Sequence, residues 1–367
     1  MHRRIVAKFG TSLLTAGSDR LDIEAMSRLV GQVVRLRAQG HEVVAVSSGA
    51  QAAGRHEARR RLQPTSQPSR QAFASIGQHR LMQTWGMLFD AYDTVVAQVL
   101  LTRRDLNDRL GYLNARNTLR DLIESGAVPI VNENDAVALD QVLASRIGEN
   151  DSLSAYVANL IDADLLVILT DVEGLYDADP RTNPAAKLIA RVDRIEDVEA
   201  GATGAHGPGS GGMITKLTAA RIATQGGVDV VVANGRHPDI LGEIAAGKLH
   251  GTLFPAAGDR LEGRKRWILG SISRGGHIIV DGGAVKALRE SGRSLLPAGV
   301  AEVYGAFVRG ESIEVRDGSG ARIAAGTTNY ASDELARIRG LRSDRIAETL
   351  GYAYGDEAIH RDNMVLL

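Results

Sequence analysis

Over roughly its first two-thirds the chain alternates short apolar runs with amphipathic stretches, and this alternation restricts the fold more than any other feature. Arg4 to Phe9 reads as a buried strand. Asp22 to Gln39 reads as a helix with Ile23, Met26, Leu29, Val30, Val33 and Leu36 on one face, ended by Gly40, and Val43-Val44-Ala45-Val46 follows as a second strand. Helices are predicted near Gly49 to His56 and from Arg70 to Tyr92, either side of a breaker segment with Pro64 and Pro68. A strand at Thr94 to Leu101, a helix at Leu113 to Glu124 and a strand at Val128 to Val131 come next. Strands at Leu165 to Leu169 and Val228 to Ala233 then flank a helix at Ile214 to Gln225. Repeated strand–helix–strand order implies an α/β fold, a mainly parallel open sheet sandwiched by helices.

A chain of 367 residues has room for a second domain. The alternation breaks at Gly251 to Arg266, which carries Pro255, Gly258, Gly263 and the triplet Arg264-Lys265-Arg266, and the boundary is placed there. Strands at His277 to Val280, Gly299 to Val308, Ser312 to Val315 and Arg322 to Thr327, with brief helices near Ala284 to Ser291 and Ser332 to Ile338, predict a small β-rich barrel domain. The expected limits are residues 1–255, a linker at 256–272, and residues 273–367.

With 43 basic and 44 acidic residues, no global field steers the chain toward nucleic acid or an anionic membrane. The absence of cysteine excludes disulfides, thiolate nucleophiles and cysteine metal sites. Met1-His2-Arg3-Arg4 leads into an apolar run too short for a signal peptide, and no window approaches the ~18 apolar residues of a membrane span. A cytoplasmic location is expected.

Ligands of an open α/β sheet bind beyond the carboxyl ends of its strands. Polar clusters fall at those ends: Lys8 with Gly10-Thr11-Ser12, then Ser47-Ser48-Gly49, then Asn132-Glu133-Asn134-Asp135, then Thr170-Asp171. A second lysine, Lys216, closes Gly209-Ser210-Gly211-Gly212-Met213-Ile214-Thr215, read as a glycine loop feeding a helix. Glycines let backbone N–H groups approach an anion, and a lysine neutralises phosphate oxygens. Two such sites point to phosphoryl transfer.

Several other chemistries lack their motifs. Gly207 to Gly212 fits G-x-G-x-x-G, but the preceding Arg191 to His206 is not a strand, so the dinucleotide context is missing. Walker A and Gly-x-Ser-x-Gly sequences are absent, and the nine histidines show no H-E-x-x-H spacing, which argues against a built-in metal site. His41 and His79 are expected to be ordinary surface or helix residues. With no obvious general base, a carboxylate is the natural acceptor, since it is already ionised at neutral pH. An amino-acid substrate would also need a grip on its ammonium group, which Asn132, Asn134, Asp135 and Asn150 offer.

Together, Val6-Ala7-Lys8-Phe9-Gly10-Thr11-Ser12, Ser47-Ser48-Gly49-Ala50, Asn132-Glu133-Asn134-Asp135, Thr170-Asp171 and Gly211-Gly212-Met213 through Lys216 resemble the amino acid kinase family, and within it the glutamate 5-kinases, over essentially the whole chain. The tail, including Gly351-Tyr352 and His360-Arg361-Asp362, resembles a PUA domain. The resemblance implies the amino acid kinase fold and ATP-dependent phosphorylation of the side-chain carboxylate of L-glutamate, the first step of proline biosynthesis, with feedback inhibition by proline. It implies that Lys8 and Lys216 stabilise the transferring phosphoryl group and that Asp151 orients them. Lys8, Thr170, Asp171 and Ser210, Gly211, Gly212, Met213, Ile214, Thr215 and Lys216 would hold ATP, and Ser48, Asp135 and Asn150 would bind glutamate. Mg²⁺ would arrive with the nucleotide, without a protein-only metal site. A homo-oligomer, dimer or tetramer, and an encounter with glutamyl phosphate reductase are the expected assemblies.

The sequence departs from that family at Glu149, where aspartate is more usual, at Ser210, where threonine is common, and in a lengthened loop from Ala136 to Ile147; altered glutamate affinity or proline response is the expectation. From Ser271 to Leu367 there are 12 basic and 13 acidic residues, which argues against RNA as a partner of the tail.

Overall fold

The computed structural model describes residues 3–62, 69–138, 149–180, 182–202, 211–257 and 272–367. It divides into two compact units, Met1–Arg260 and Leu261–Leu367.

In the first unit the chain runs β1 (Arg4–Phe9), α1 (Thr11–Leu14), α2 (Ile23–Ala38), β2 (Glu42–Ser47), α3 (Ala50–Arg61), α4 (Arg70–Asp90), β3 (Val96–Leu101), α5 (Arg103–Asn107), α6 (Arg109–Glu124) and β4 (Val128–Glu133). It continues through α7 (Glu149–Leu160), β5 (Leu165–Thr170), α8 (Ile195–Ala202), α9 (Gly211–Gln225), β6 (Asp229–Asn234), α10 (Ile240–Ala245) and β7 (Thr252–Phe254). The strands form one seven-stranded sheet in the order β3-β4-β2-β1-β5-β6-β7, parallel except for β7.

Strand periodicity divides this unit into two cores. Val6, Val44, Val46, Val131, Leu166 and Ile168 pack toward α6, α7 and α9, while Ile5, Ala7, Phe9, Val43, Ala45 and Leu169 pack toward α2, α4 and α10. Lys8, two residues after Val6, belongs to the first of these faces. The chain leaves β1 toward β2 on one side and leaves β5 toward β6 on the other, so the topological switch point lies between β1 and β5.

Local chemistry explains several element boundaries. Asp22 caps α2 by accepting from Ala25 N at 3.0 Å, and Ser69 caps α4 by accepting from Ala72 N at 3.1 Å. α7, absent from the sequence reading, has no visible apolar stripe because Leu153, Ala155, Val157, Ala158 and Leu160 are all buried. β7 lies within the segment read as the domain boundary, yet it pairs Thr252 with Val232 and so completes the first sheet. His41 is buried rather than on the surface, because the Gly40 turn folds it back so that its N–H donates to Leu36 O at 3.1 Å.

The second unit holds a five-stranded sheet of order β12-β11-β10-β8-β9, formed by β8 (Ile272–Val280), β9 (Val300–Gly305), β10 (Ser312–Arg316), β11 (Arg322–Thr327) and β12 (Met364–Leu366). Its own core contains Ile278, Val280, Ile313, Val315, Tyr330, Leu335 and Ile359. Among the described residues, no helix of the chain is long and apolar enough to cross a membrane.

α3 and α4 meet backbone to backbone. A Cβ on Gly54 would stand 1.7 Å from Phe73 O, and one on Gly77 would stand 1.8 Å from Ala50 O. Both carbonyls are helix backbone and have little room to yield. Gly54→Ala and Gly77→Ala are each expected to destabilise the protein by about 1–3 kcal/mol or more, read as a lower urea midpoint; unchanged midpoints would contradict this approach.

Candidate active site

Three charged side chains converge above the switch point. Lys8 Nζ lies 2.6 Å from Asp151 Oδ1, and Lys216 Nζ lies 3.3 Å from Asp151 Oδ2. All three are buried. Each comes from a different element on the same face of the sheet: Lys8 from the end of β1, Asp151 from the first turn of α7, and Lys216 from the second turn of α9. Thr215 Oγ1 donates to Asp151 Oδ2 at 2.5 Å and lies 2.8 Å from Gly212 O, and Lys216 Nζ donates to Gly212 O at 3.1 Å.

Burial pushes the Asp151 carboxyl up, but the neighbouring Lys8 and Lys216 ammonium groups, with hydrogen bonds from Lys8 and Thr215, outweigh it and hold the group below the usual carboxylate range. Burial pushes the Lys8 ammonium down and Lys216 adds to that, against the opposing pull of Asp151.

Beside this cluster opens a cleft of about 300 Å³, lined by Lys8, Ser48, Asp135, Asn150 and Asp151 among others. Gly49, at φ 99°, ends β2 in a left-handed turn that starts α3, and Ser48 N donates to Phe9 O at 3.1 Å. Asn150 Nδ2 donates to Ser48 Oγ at 3.2 Å, while Asn150 Oδ1 is buried and has no partner among the described residues. Trp85 Nε1 donates to Ser47 Oγ at 3.0 Å, fixing the end of β2 from below.

The remaining expected residues fall at the same sheet edge with different surroundings. Thr170 and Asp171 end β5, where Thr170 Oγ1 donates to Asp171 Oδ1 at 3.2 Å, and Thr170 pairs in register with Asn234 on β6. Gly211, Gly212, Met213, Ile214 and Thr215 all belong to α9, so the helix expected from Ile214 starts three residues earlier, at Gly211, where a loop was expected; the Thr215 and Lys216 side chains both reach Gly212 O. Ser210, and most of the loop from Ala136 to Ile147, lie outside the described residues. Asn132 is already engaged, donating to Gln78 Oε1 at 2.8 Å and accepting from Glu133 N at 2.9 Å, and Asn134 does not line the cleft.

Two cleft residues escaped the sequence reading. Gln51 and Arg55 sit one turn apart on α3 and both line the cleft. Gln51 Nε2 donates to Asp135 Oδ1 at 3.3 Å. Their i, i+4 spacing behind a strand-end glycine was the available signal.

The amino acid kinase family model matches residues 3–234, and the PUA domain model matches residues 276–350. The glutamate 5-kinase of Herpetosiphon aurantiacus is 51% identical over 100% of this chain and 98% of its own length. That of Dehalococcoides mccartyi is 48% identical over 100% and 99%. This chain belongs to the glutamate 5-kinase family. It is thus a kinase of the amino acid kinase fold carrying a C-terminal PUA domain. Among solved structures, a UMP kinase from Bacillus anthracis aligns at 17% identity and a TM-score of 0.48, over 70% of this chain and 97% of that one.

Asp151→Asn leaves two buried ammonium groups without their counter-ion and is expected to cost about 3–5 kcal/mol of stability at neutral pH. A carboxyl whose folded pKa is depressed contributes stability above its unfolded pKa and loses it as pH falls through the folded value, here from about pH 4 downward. The stability gap between wild type and variant should therefore narrow on acidification in denaturant titrations. A gap that stays constant to about pH 2 would remove the ion cluster as its source.

Proposed function

We propose that this kinase transfers the γ-phosphoryl group of ATP to the side-chain carboxylate of L-glutamate, forming L-glutamyl 5-phosphate at the first step of proline biosynthesis. The observation that carries the reading is the buried Lys8–Asp151–Lys216 cluster beside a polar cleft at the switch point. Two ammonium groups share one carboxylate, which leaves the cluster one positive charge in excess and complements an anion.

The backbone suits a polyphosphate. Gly10 and Gly212 lie next to the two ammonium groups, a Cβ on them standing 3.6 Å from Lys8 Nζ and 4.0 Å from Lys216 Nζ. α9 presents its N-terminal N–H groups beside Lys216. ATP with Mg²⁺ supplies the transferable phosphoryl group and the metal's charge neutralisation. Lys8, Thr170, Asp171, Ser210 and Gly211 through Lys216 are assigned to the nucleotide. Asp151 positions the two lysines, which stabilise charge on the phosphoryl oxygens.

Ser48, Asp135 and Asn150 are assigned to glutamate. The unpartnered Asn150 Oδ1 and the Asp135 carboxylate offer acceptors for its ammonium group, and Arg55 offers a cation for its α-carboxylate. No histidine lines the cleft among the described residues, which suits an acceptor that needs no deprotonation. Proline acts as inhibitor in or overlapping the glutamate pocket. The enzyme is assigned to the cytoplasm as a homo-oligomer that passes its labile product to glutamyl phosphate reductase. Residues 1–255 are assigned as its catalytic domain, 256–272 as a linker and 273–367 as the PUA domain.

Incubation with ATP, Mg²⁺, L-glutamate and hydroxylamine should give γ-glutamyl hydroxamate; product from aspartate or N-acetylglutamate but none from glutamate would reject the substrate assignment. Lys216→Ala is expected to lower kcat by roughly 10²–10³, and unchanged turnover would remove Lys216 from the mechanism. Arg55→Ala should raise KM for glutamate while leaving KM for ATP near its wild-type value; the reverse pattern would place Arg55 on the nucleotide.

A further inference from the structure

Outside the cleft, His237, Glu243 and His250 bring three ligand atoms within 4.8 Å of one another. They come from the turn after β6, from α10, and from the segment just before β7. His250 Nε2 lies 2.6 Å and His237 Nε2 3.7 Å from the same oxygen, Glu243 Oε2. The two imidazole centroids are 4.8 Å apart. Because the residues are separated in sequence and held on three elements, the linear histidine spacing gives no sign of them.

We propose that these residues form a binding site for a zinc-class transition-metal dication, separate from the kinase centre. Two imidazoles and one carboxylate make a donor set suited to zinc, whereas Mg²⁺ and Ca²⁺ favour all-oxygen surroundings. The carboxylate is divided between two tasks. Oε1 accepts from Lys248 Nζ at 3.0 Å, while Oε2 faces both histidines, 2.6 Å from His250 Nε2 and 3.7 Å from His237 Nε2. A dication held jointly by this oxygen and the two imidazole nitrogens would replace that ion pair with three metal–ligand bonds. The Lys248 charge opposes a cation, but it is spent on the oxygen that points away from the histidines.

The backbone under each ligand is fixed without any metal. Asn234 O accepts from His237 N at 3.3 Å and Asn234 Oδ1 accepts from Arg236 N at 3.0 Å, closing the turn. Glu243 N donates to Asp239 O at 3.0 Å at the start of α10. Gly251, at φ +80°, follows His250, and a Cβ there would lie 2.0 Å from Val232 O, so this segment is pressed against β6 in a shape only glycine adopts. Glu243 and His250 are partly buried and His237 is exposed, which leaves one side open to solvent for entry and for a water ligand.

The test uses the full chain without an affinity tag, stripped by chelator and titrated with Zn²⁺ by calorimetry and with Co²⁺ by visible absorption. One Zn²⁺ per chain is expected, with Co²⁺ giving the intense d–d bands of a four-coordinate site. His237→Ala and His250→Ala should each weaken Zn²⁺ binding by about tenfold or more, and Glu243→Gln should do so with the side-chain shape retained. Zn²⁺ should raise the melting temperature of the wild type but not of the histidine variants, whose Mg²⁺-dependent kinase activity should stay at the wild-type level. Absence of Zn²⁺ binding, or binding of equal affinity in wild type and both histidine variants, overturns the proposal and leaves the cluster as a surface ion pair.

Discussion

The cleft depends on a single buried carboxylate that holds two ammonium groups in place. Removing an ion from water costs several kcal/mol even after the protein relaxes, so three ions persist in the interior only where attraction and hydrogen bonds compensate. Asp151 meets that condition with one oxygen on Lys8 and the other on Lys216 and Thr215. The arrangement locks together β1, α7 and α9, elements whose residues lie far apart along the chain. It also fixes the spacing of two cations that would otherwise repel one another.

The sheet makes this arrangement possible through its period of two. Lys8 shares the face of Val6, and that face is covered by α7 and α9, so the last residues of a buried strand deliver an ammonium group to the point where those helices begin. Parallel register places Ser47, Glu133, Thr170 and Asn234 at the same edge, because β1, β2, β4, β5 and β6 all run in one direction. On the opposite flank, α3 approaches α4 through Gly54 and Gly77, and the same helix carries Gln51 and Arg55 to the cleft wall. Packing that looks remote from the chemistry therefore sets where two cleft side chains stand.

Much of this was legible in the sequence, for physical reasons specific to each residue. Lys8 stood out because it ends an apolar run and meets a Gly-Thr-Ser turn, a strand-end signature that depends on neighbours alone. Asp151 carried no such mark. It lies in the first turn of a helix whose faces are nearly all buried, which hides helical periodicity, and only family resemblance gave it a role. The Gly211–Met213 stretch read as a loop ahead of the helix expected from Ile214, because glycines lower helix propensity, whereas α9 begins at Gly211. Gln51 and Arg55 were missed since an arginine on a helix is ordinarily a solvated side chain, and only tertiary packing turns it to a cleft. Asn132 shows the converse: its position in a polar strand-end run suggested ligand binding, but its amide is already committed to Gln78 and the Glu133 N–H.

The distribution of charge around the cleft bears on the acceptor as much as on the nucleotide. Lys8 and Arg55 line the cleft as cations, and Asp135, Glu133 and the Asn150 carbonyl line it as acceptors. Asp135 already accepts from Gln51 Nε2, but the buried Asn150 Oδ1 has no donor among the described residues, and a simple anion would leave it so. A ligand that carries an ammonium group together with carboxylates satisfies both cations and acceptors. Transfer of the phosphoryl group from ATP to such a carboxylate conserves total charge and redistributes it among oxygens, so lysines set where charge develops during transfer would stabilise the transition state more than the bound substrates. Interactions of that kind accelerate the chemical step, whereas uniform binding does not.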